Sequence, residues 1–407
     1  MPTSRSFLPG SEPRAPVTRG RRRAVVAASA LALALVLSAV ASGQSGSGDA
    51  AGAQDAPAPL RPVIGFVAGH GEPTVTDGLS GAAEALTPEF DVRTIDLSRG
   101  ADELAGVAAV VLAGSPDILD VELYELDQYL MRGGRIAFFV DAATIPESGF
   151  GAGIAGGNIL GFLAAYGVVV APDLVLDLES AKAAAYGDVK TNMLYPFWPV
   201  VGPDGFAESH PALVGCDEVP FAWTSSIFMN ERAPEGAESE VLLRSSGRSW
   251  SVNALTDIDP DQGFAPEGQG AEVIMAGEGP GAALAVAVSG ELNSAFLGKR
   301  LIIQRGREVE VTDPVGLIEK SVPTRMIVFG SSRLFRDEFR EQFPGNARLF
   351  RNLVTWLALS EAPEPVQRTP KSPRVGGPTM PLIALTLLVL VAVCVVVLIV
   401  VLGRARA

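Results

Sequence analysis

The chain has 407 residues and a formal net charge of −14 at pH 7, long enough for two domains, although its two ends are not globular in composition. Residues 1–23 hold six arginines against one acid and Arg404 and Arg406 add two more, so residues 24–403 carry 24 basic and 45 acidic side chains, a net of −21. A body this acidic repels phosphate backbones and argues against a nucleic acid partner.

The arginine cluster of residues 1–23 runs into an apolar stretch, 24–42, that reads as a signal peptide or as an uncleaved transmembrane anchor. Either sends the following chain out of the cytoplasm, and the arginines keep the N-terminus inside. Residues 43–60 (GQSGSGDAAGAQDAPAPL) are small and polar, a flexible linker. At the far end, 361–380 carries five prolines and reads as a stiff stalk. Residues 381–402 hold no charge and cover roughly 30 Å of hydrocarbon as a helix, which predicts a transmembrane span with a cytoplasmic tail at 403–407. Cys394 lies inside that span, so Cys216 has no partner for a disulfide within one chain.

The folded part, 61–360, opens on VIGFVAGHGE (63–72). Its β-branched and aromatic run stops at Gly69 and delivers His70, Gly71 and Glu72 to a strand end. A helix is predicted over 76–86 and a strand over 92–97. The nearly all-apolar strand at 108–113 is expected to be central in the sheet, and it ends at Gly114-Ser115-Pro116. Asp120 is expected to cap a helix with Leu123, Leu126, Tyr129 and Leu130 on one face, ended by Gly133-Gly134. RIAFFVD (135–141) is a further strand. A glycine-rich loop at 149–157, a helix at 158–166, a short strand at 167–170 and an extended run at 174–177 come next. From about 181 to 278, prolines and aromatics break the pattern into an irregular, strand-containing subregion. Strands return at 282–288 and 325–329, the second ending in Gly330-Ser331-Ser332, and a helix at 347–359 closes the domain. Strands alternating with helices in this way predict an α/β fold: an open, mainly parallel, flavodoxin- or amidotransferase-like sheet covered on both faces. Sites in such sheets lie at the carboxyl ends of strands.

The candidate binding residues are accordingly His70, Gly71, Glu72, Ser115 and Pro116. His70 and Glu72 have the chemistry of an acid–base pair, but a reaction needs a nucleophile or a metal as well, and a glycine-shaped turn whose side chains cap the next helix is the simpler reading. His210, six residues before Cys216, invites a thiol–imidazole pair, yet no helix start or glycine elbow presents the thiol. Residues 151–156 (GAGIAG) match the dinucleotide fingerprint in letters but begin ten residues after Asp141 rather than at a strand end. Asp257, Asp259, Asp261 and Glu267 resemble a calcium loop that has Gln262 where glycine is needed and Gly268 where a bidentate Glu is needed. Residues 330–334 lack the closing glycine of a hydrolase elbow. Residues 290–300 miss the P-loop, because Gly290 is too far from Gly298-Lys299 and Arg300 replaces the magnesium-binding Ser or Thr. No catalytic residue, metal or cofactor is expected.

The motifs at 69–72 (GHGE), 114–116 (GSP), 129–134, 161–177 (GFLAAYGVVVAPDLVLD), 210–211, 242–250 (LLRSSGRSW), 285–290 and 325–359 with its Gly345-Asn346 pair follow one another in an order that resembles a known family. It is the auxiliary, substrate-binding-like subunits of ABC exporters of the gliding-motility type, related in turn to part of an intraflagellar transport protein. The resemblance implies a non-enzymatic accessory at the cytoplasmic (inner) membrane, its main domain extracytoplasmic, with the ABC permease and ATPase subunits on other chains. Two alternatives stand beside it. One is a hydrolase or amidotransferase-like enzyme using His70 and Glu72, and the other is a carbohydrate-binding envelope scaffold built on the aromatics from Tyr195 to Trp250.

Overall fold

A computed structural model describes residues 61–183, 193–230, 236–260, 274–275, 281–305 and 308–359. Both apolar stretches, 24–42 and 381–402, and the stalk fall outside them. Among the described residues no helix is long and apolar enough to cross a membrane.

Seven strands form the main sheet: β1 (Val63–Val67), β2 (Asp91–Ile95), β3 (Val107–Ala113), β4 (Arg135–Phe139), β5 (Ala237–Arg244), β6 (Ala283–Gly290) and β7 (Thr324–Phe329). Their order is β5-β6-β7-β4-β3-β1-β2. Five of them, β2, β1, β3, β4 and β7, run parallel, as a mainly parallel sheet requires. β6 is antiparallel to β7 and β5 to β6. The reason lies in the connection. Between β6 and β7 the chain folds a ribbon of Leu301–Arg305 against Glu308–Thr312 instead of a crossover helix, so it re-enters the sheet from the end it left.

Alternation along the central strands sorts their side chains onto two cores. Ile64, Phe66, Val111, Ala137 and Phe139 face α1 (Ser80–Leu86) and α4 (Asn346–Ala358). Val67, Val110, Leu112, Ile136 and Phe138 face α2 (Asp120–Met131) and α3 (Ile159–Ala165). Phe139 sits in an aromatic cluster, with ring centroids 4.7 Å from Phe335, 5.3 Å from Phe329 and 5.6 Å from Phe350. Each such ring contributes roughly 2–3 kcal/mol by burial alone.

Element ends follow local chemistry. α2 ends in a Schellman arrangement: Gly133 N–H donates to Leu130 O and Gly134 N–H to Tyr129 O, with Gly133 at φ +88°. Its start differs from expectation. Asp120 is the first helical residue rather than the cap, and Glu122 accepts the Leu119 N–H at 3.1 Å. α1 begins at Ser80, not at residue 76, because Thr74 and Asp77 close a tight turn and Gly78 takes φ +91°. β2 stops at Ile95, since Asp96 accepts from Ser98 and opens a 3₁₀ turn.

The irregular subregion also supplies the main sheet's edge strand, β5. Its aromatics form a third core in which Trp198 is 1 % exposed, Trp223 3 % and Trp250 2 %, so these rings are packing, not a sugar-binding surface. Trp223 holds the left-handed conformation at φ +48°, a strained state for a bulky residue. Its indole N–H donates to Tyr195 Oη, and Trp198 packs edge-on against it at 5.3 Å.

Irregular segments are fastened by a repeated device in which one aspartate accepts both the backbone N–H and the hydroxyl of one distant serine. Asp141 does so with Ser332, Asp173 with Ser226, Asp177 with Ser246 and Asp337 with Ser80. Asp177 is fully buried. Asp177→Ala leaves two donors of Ser246 and the Glu179 N–H without their acceptor, at an expected cost of about 3 kcal/mol, whereas Ser246→Ala should cost about 1. Equilibrium urea unfolding of the two variants checks the ratio.

Candidate functional site

The order β2-β1-β3 makes the loops after β1 and β3 diverge, and the crevice between diverging loops is where ligands enter open α/β sheets. A cleft of about 310 Å³ lies there. His70, Gly71 and Glu72 reach it from the end of β1, and Ser115 and Pro116 from the end of β3. All five residues singled out in the sequence are thus brought together. Asp141 arrives from the end of β4, and Arg333 and Arg336 from the segment after β7. Those three were not among the candidates.

His70 is a bridge between two elements. Its Nδ1 lies 3.1 Å from Glu72 Oε1 and its Nε2 2.9 Å from Glu122 Oε2, while Glu72 Oε2 accepts the His70 backbone N–H at 2.6 Å. The ring is mostly buried and both carboxylates are buried. With both carboxylates ionised each can only accept, so the bridge is made by the imidazolium form of the ring. Burial by itself would lower the His70 pKa, but the hydrogen bonds to Glu72 and Glu122 and their charges outweigh it and raise it. Glu72 does not cap α1, as the turn reading anticipated. Asp337 does that from the other end of the domain, and Glu122 caps α2 while holding His70.

One turn along α2, Glu125 has an oxygen buried without a partner among the described residues. Burial, and then repulsion from Glu122, push its pKa up to about 7.

On the opposite wall Asp141 accepts from Ser332 N–H (2.8 Å) and Oγ (2.5 Å), and Arg336 approaches at 3.5 Å. Arg336 also donates to Ser332 Oγ at 2.9 Å. Ser115 Oγ accepts the Asp141 N–H at 2.9 Å, which ties the loop after β3 to the end of β4. Arg333 lies over the Trp223 ring at 5.6 Å and 3.5 Å from Glu338.

The remaining sequence motifs are structural. His210 Nδ1 accepts the Ala212 N–H and the ring lies 4.6 Å from Trp356, so no thiol pair forms; burial and then Arg325 lower its pKa to about 4. Within the glycine-rich stretch, Gly153–Ile154 pairs with Ala143–Thr144 as a small ribbon on the rim of the cleft. Ser331 donates to Ala222 O and Ser332 to Asp141, so neither hydroxyl is presented as a nucleophile. Asp261 and Glu267 of the calcium-like loop lie outside the described residues. Among those described, no three potential ligands gather as a metal site.

The model of a family described as an ABC-type uncharacterized transport system matches residues 61–357. The chain belongs to this family. Membership makes it an ABC-type transport auxiliary protein and implies association with other transport components. No curated protein is similar enough in sequence to serve as a relative. Among solved structures, the mmIFT52 N-terminal domain aligns over 73 % of this chain and 98 % of its own, at 15 % identity and a TM-score of 0.43. A ThuA-like protein from Bacteroides uniformis aligns over 76 % of this chain and 95 % of its own, at 13 % identity and a TM-score of 0.37. A ThuA-like protein from Parabacteroides merdae aligns over 77 % and 94 %, at 11 % identity and a TM-score of 0.33.

The bridge gives a pH dependence whose sign is fixed. His70 has a raised folded pKa, so its stabilisation is complete below the unfolded value of about 6.5 and is lost as pH rises through the folded value. Glu125 also binds a proton more tightly when folded, so stability falls between its ordinary range and pH 7 as well. Melting temperature should therefore decline from about pH 5, first through the Glu125 range up to about pH 7 and further above pH 6.5 as His70 loses its proton. Glu125→Gln should remove the lower part of that slope and His70→Gln the upper part, measured by thermal unfolding across the range.

Proposed function

We propose that this chain is a non-enzymatic, membrane-anchored, extracytoplasmic accessory subunit of an ABC export complex of the gliding-motility type. The match of the family model over 61–357 carries the reading. The division proposed along the chain is a basic cytoplasmic N-terminus (1–23), a signal peptide or anchor (24–42), a linker (43–60), the α/β domain (61–360), a stalk (361–380), a transmembrane helix (381–402) and a cytoplasmic tail (403–407). The permease and the ATPase are other chains in the cytoplasmic membrane. The strand-end loops at Gly69 and Gly114 are the proposed contact region.

The state of His70 supports a binding role over an acid–base one. A general base needs a nitrogen lone pair, and both ring nitrogens are given to carboxylates. A hydrolase or amidotransferase-like reaction would first have to break that bridge.

Affinity purification of the tagged full-length chain from gently solubilised membranes tests the proposal. An ABC permease and its ATPase should accompany it in defined ratio. Recovery of the chain without either subunit would overturn the reading.

A further inference from the structure

The polar groups of the cleft are unequally used. Its carboxylates are spoken for: both oxygens of Glu72 take hydrogens from His70, and both oxygens of Asp141 take them from Ser332, with Arg336 alongside. Its donors are in surplus. Arg336 spends only Nη2 on Ser332 and Asp141, and neither the hydroxyl hydrogen of Ser115 nor the backbone N–H of Gly71 or Ser115 has an acceptor among the described residues. Gly71 at φ +85° and Gly114 at φ +89° turn these two loops away from the sheet at the crevice. On the facing wall Arg336 stands 3.5 Å from Asp141, while Arg333 beside it is paired with Glu338.

A site with satisfied carboxylates and unsatisfied donors is complementary to a ligand rich in acceptors. We propose that this cleft binds the anionic group, a phosphate or a carboxylate, of a small molecule. The anion sits between the loops after β1 and β3 and Arg336, at the carboxyl ends of the parallel strands. The cleft's size admits one such molecule rather than an extended polymer. This assignment stands on the cleft alone. A chain that binds anions but purifies without transporter subunits keeps it and loses the exporter reading.

Gly156 provides the test. It lines the cleft, and a side chain there meets nothing within 4 Å, so a substitution changes charge without disturbing packing. The full-length chain in detergent micelles is titrated calorimetrically with inorganic phosphate, glucuronate and glucose. Saturable binding of phosphate or glucuronate, with glucose silent, is the expected result; whichever anion binds tighter tells a phosphate-bearing ligand from a uronic acid. Gly156→Asp should bind about tenfold more weakly than the isosteric, uncharged Gly156→Asn. Failure of both anions to bind, equal binding of glucose, or equal affinities in the Asp and Asn variants would overturn the proposal.

Discussion

The cleft depends on one interaction, the carboxylate–imidazolium–carboxylate bridge that His70 makes between Glu72 and Glu122. β1 and β3 are neighbours whose outgoing loops part, and nothing in the sheet itself fixes how far. Glu122 belongs to the first turn of α2 and Glu72 to the loop after β1, so the ring fixes the spacing between that loop and that helix. A lone buried carboxylate would cost several kcal/mol, and two facing each other would cost more. With the imidazolium between them the group carries one net negative charge, and the N-terminus of α2 favours that sign. The arrangement also consumes the acid–base capacity of the histidine, which becomes a fastener.

The same economy recurs through the domain. Among the described residues no disulfide holds the long excursions of the chain, and small, exposed loops bury too little to hold themselves. Four aspartates instead reach serines between 53 and 257 positions away, each accepting two hydrogens from one residue. Two bonds from one partner fix orientation as well as distance, and the charge on the acceptor makes each stronger than a neutral pair. Asp127 extends the idea into the core, where its two oxygens accept from Tyr166, Ser294, Gln128 and the Ala295 N–H. The excess of acid in the sequence is thus partly internal fastening rather than surface.

What was legible in the sequence was local. Short apolar runs marked β1, β3, β4 and β7, the Gly133-Gly134 pair marked the end of α2, and Gly69 and Gly114 marked the strand ends that form the crevice. What was not legible depended on pairing at long range. The antiparallel entry of β6 and the edge position of β5 follow from the missing crossover helix, which no residue of AALAVAV announces. Glu122 looked like any acid in a first helical turn, and its bond to His70 spans 52 positions. Asp141 and Arg336 were within reach of the rule that found His70 and Ser115. They too stand at or just after the ends of parallel strands, and applying the rule to β4 and β7 as well as β1 and β3 would have gathered the whole wall.

Local and global electrostatics oppose each other at this cleft. The chain between its basic ends carries −21, so a free anion approaching through solvent meets repulsion over roughly 8 Å, the screening length at physiological salt. Inside the cleft the carboxylates are already hydrogen-bonded, and Arg336, the Ser115 hydroxyl and the N–H groups of Gly71 and Ser115 are donors left to an anion. Repulsion at a distance with attraction at contact slows capture from dilute solution far more than it weakens the bound state. Such a site works best when its ligand is already close at hand, as the substrate of a neighbouring transport component would be. It discriminates at the same time, since a carboxylate-rich protein surface is held off whereas a single anionic group small enough to enter finds donors on both sides.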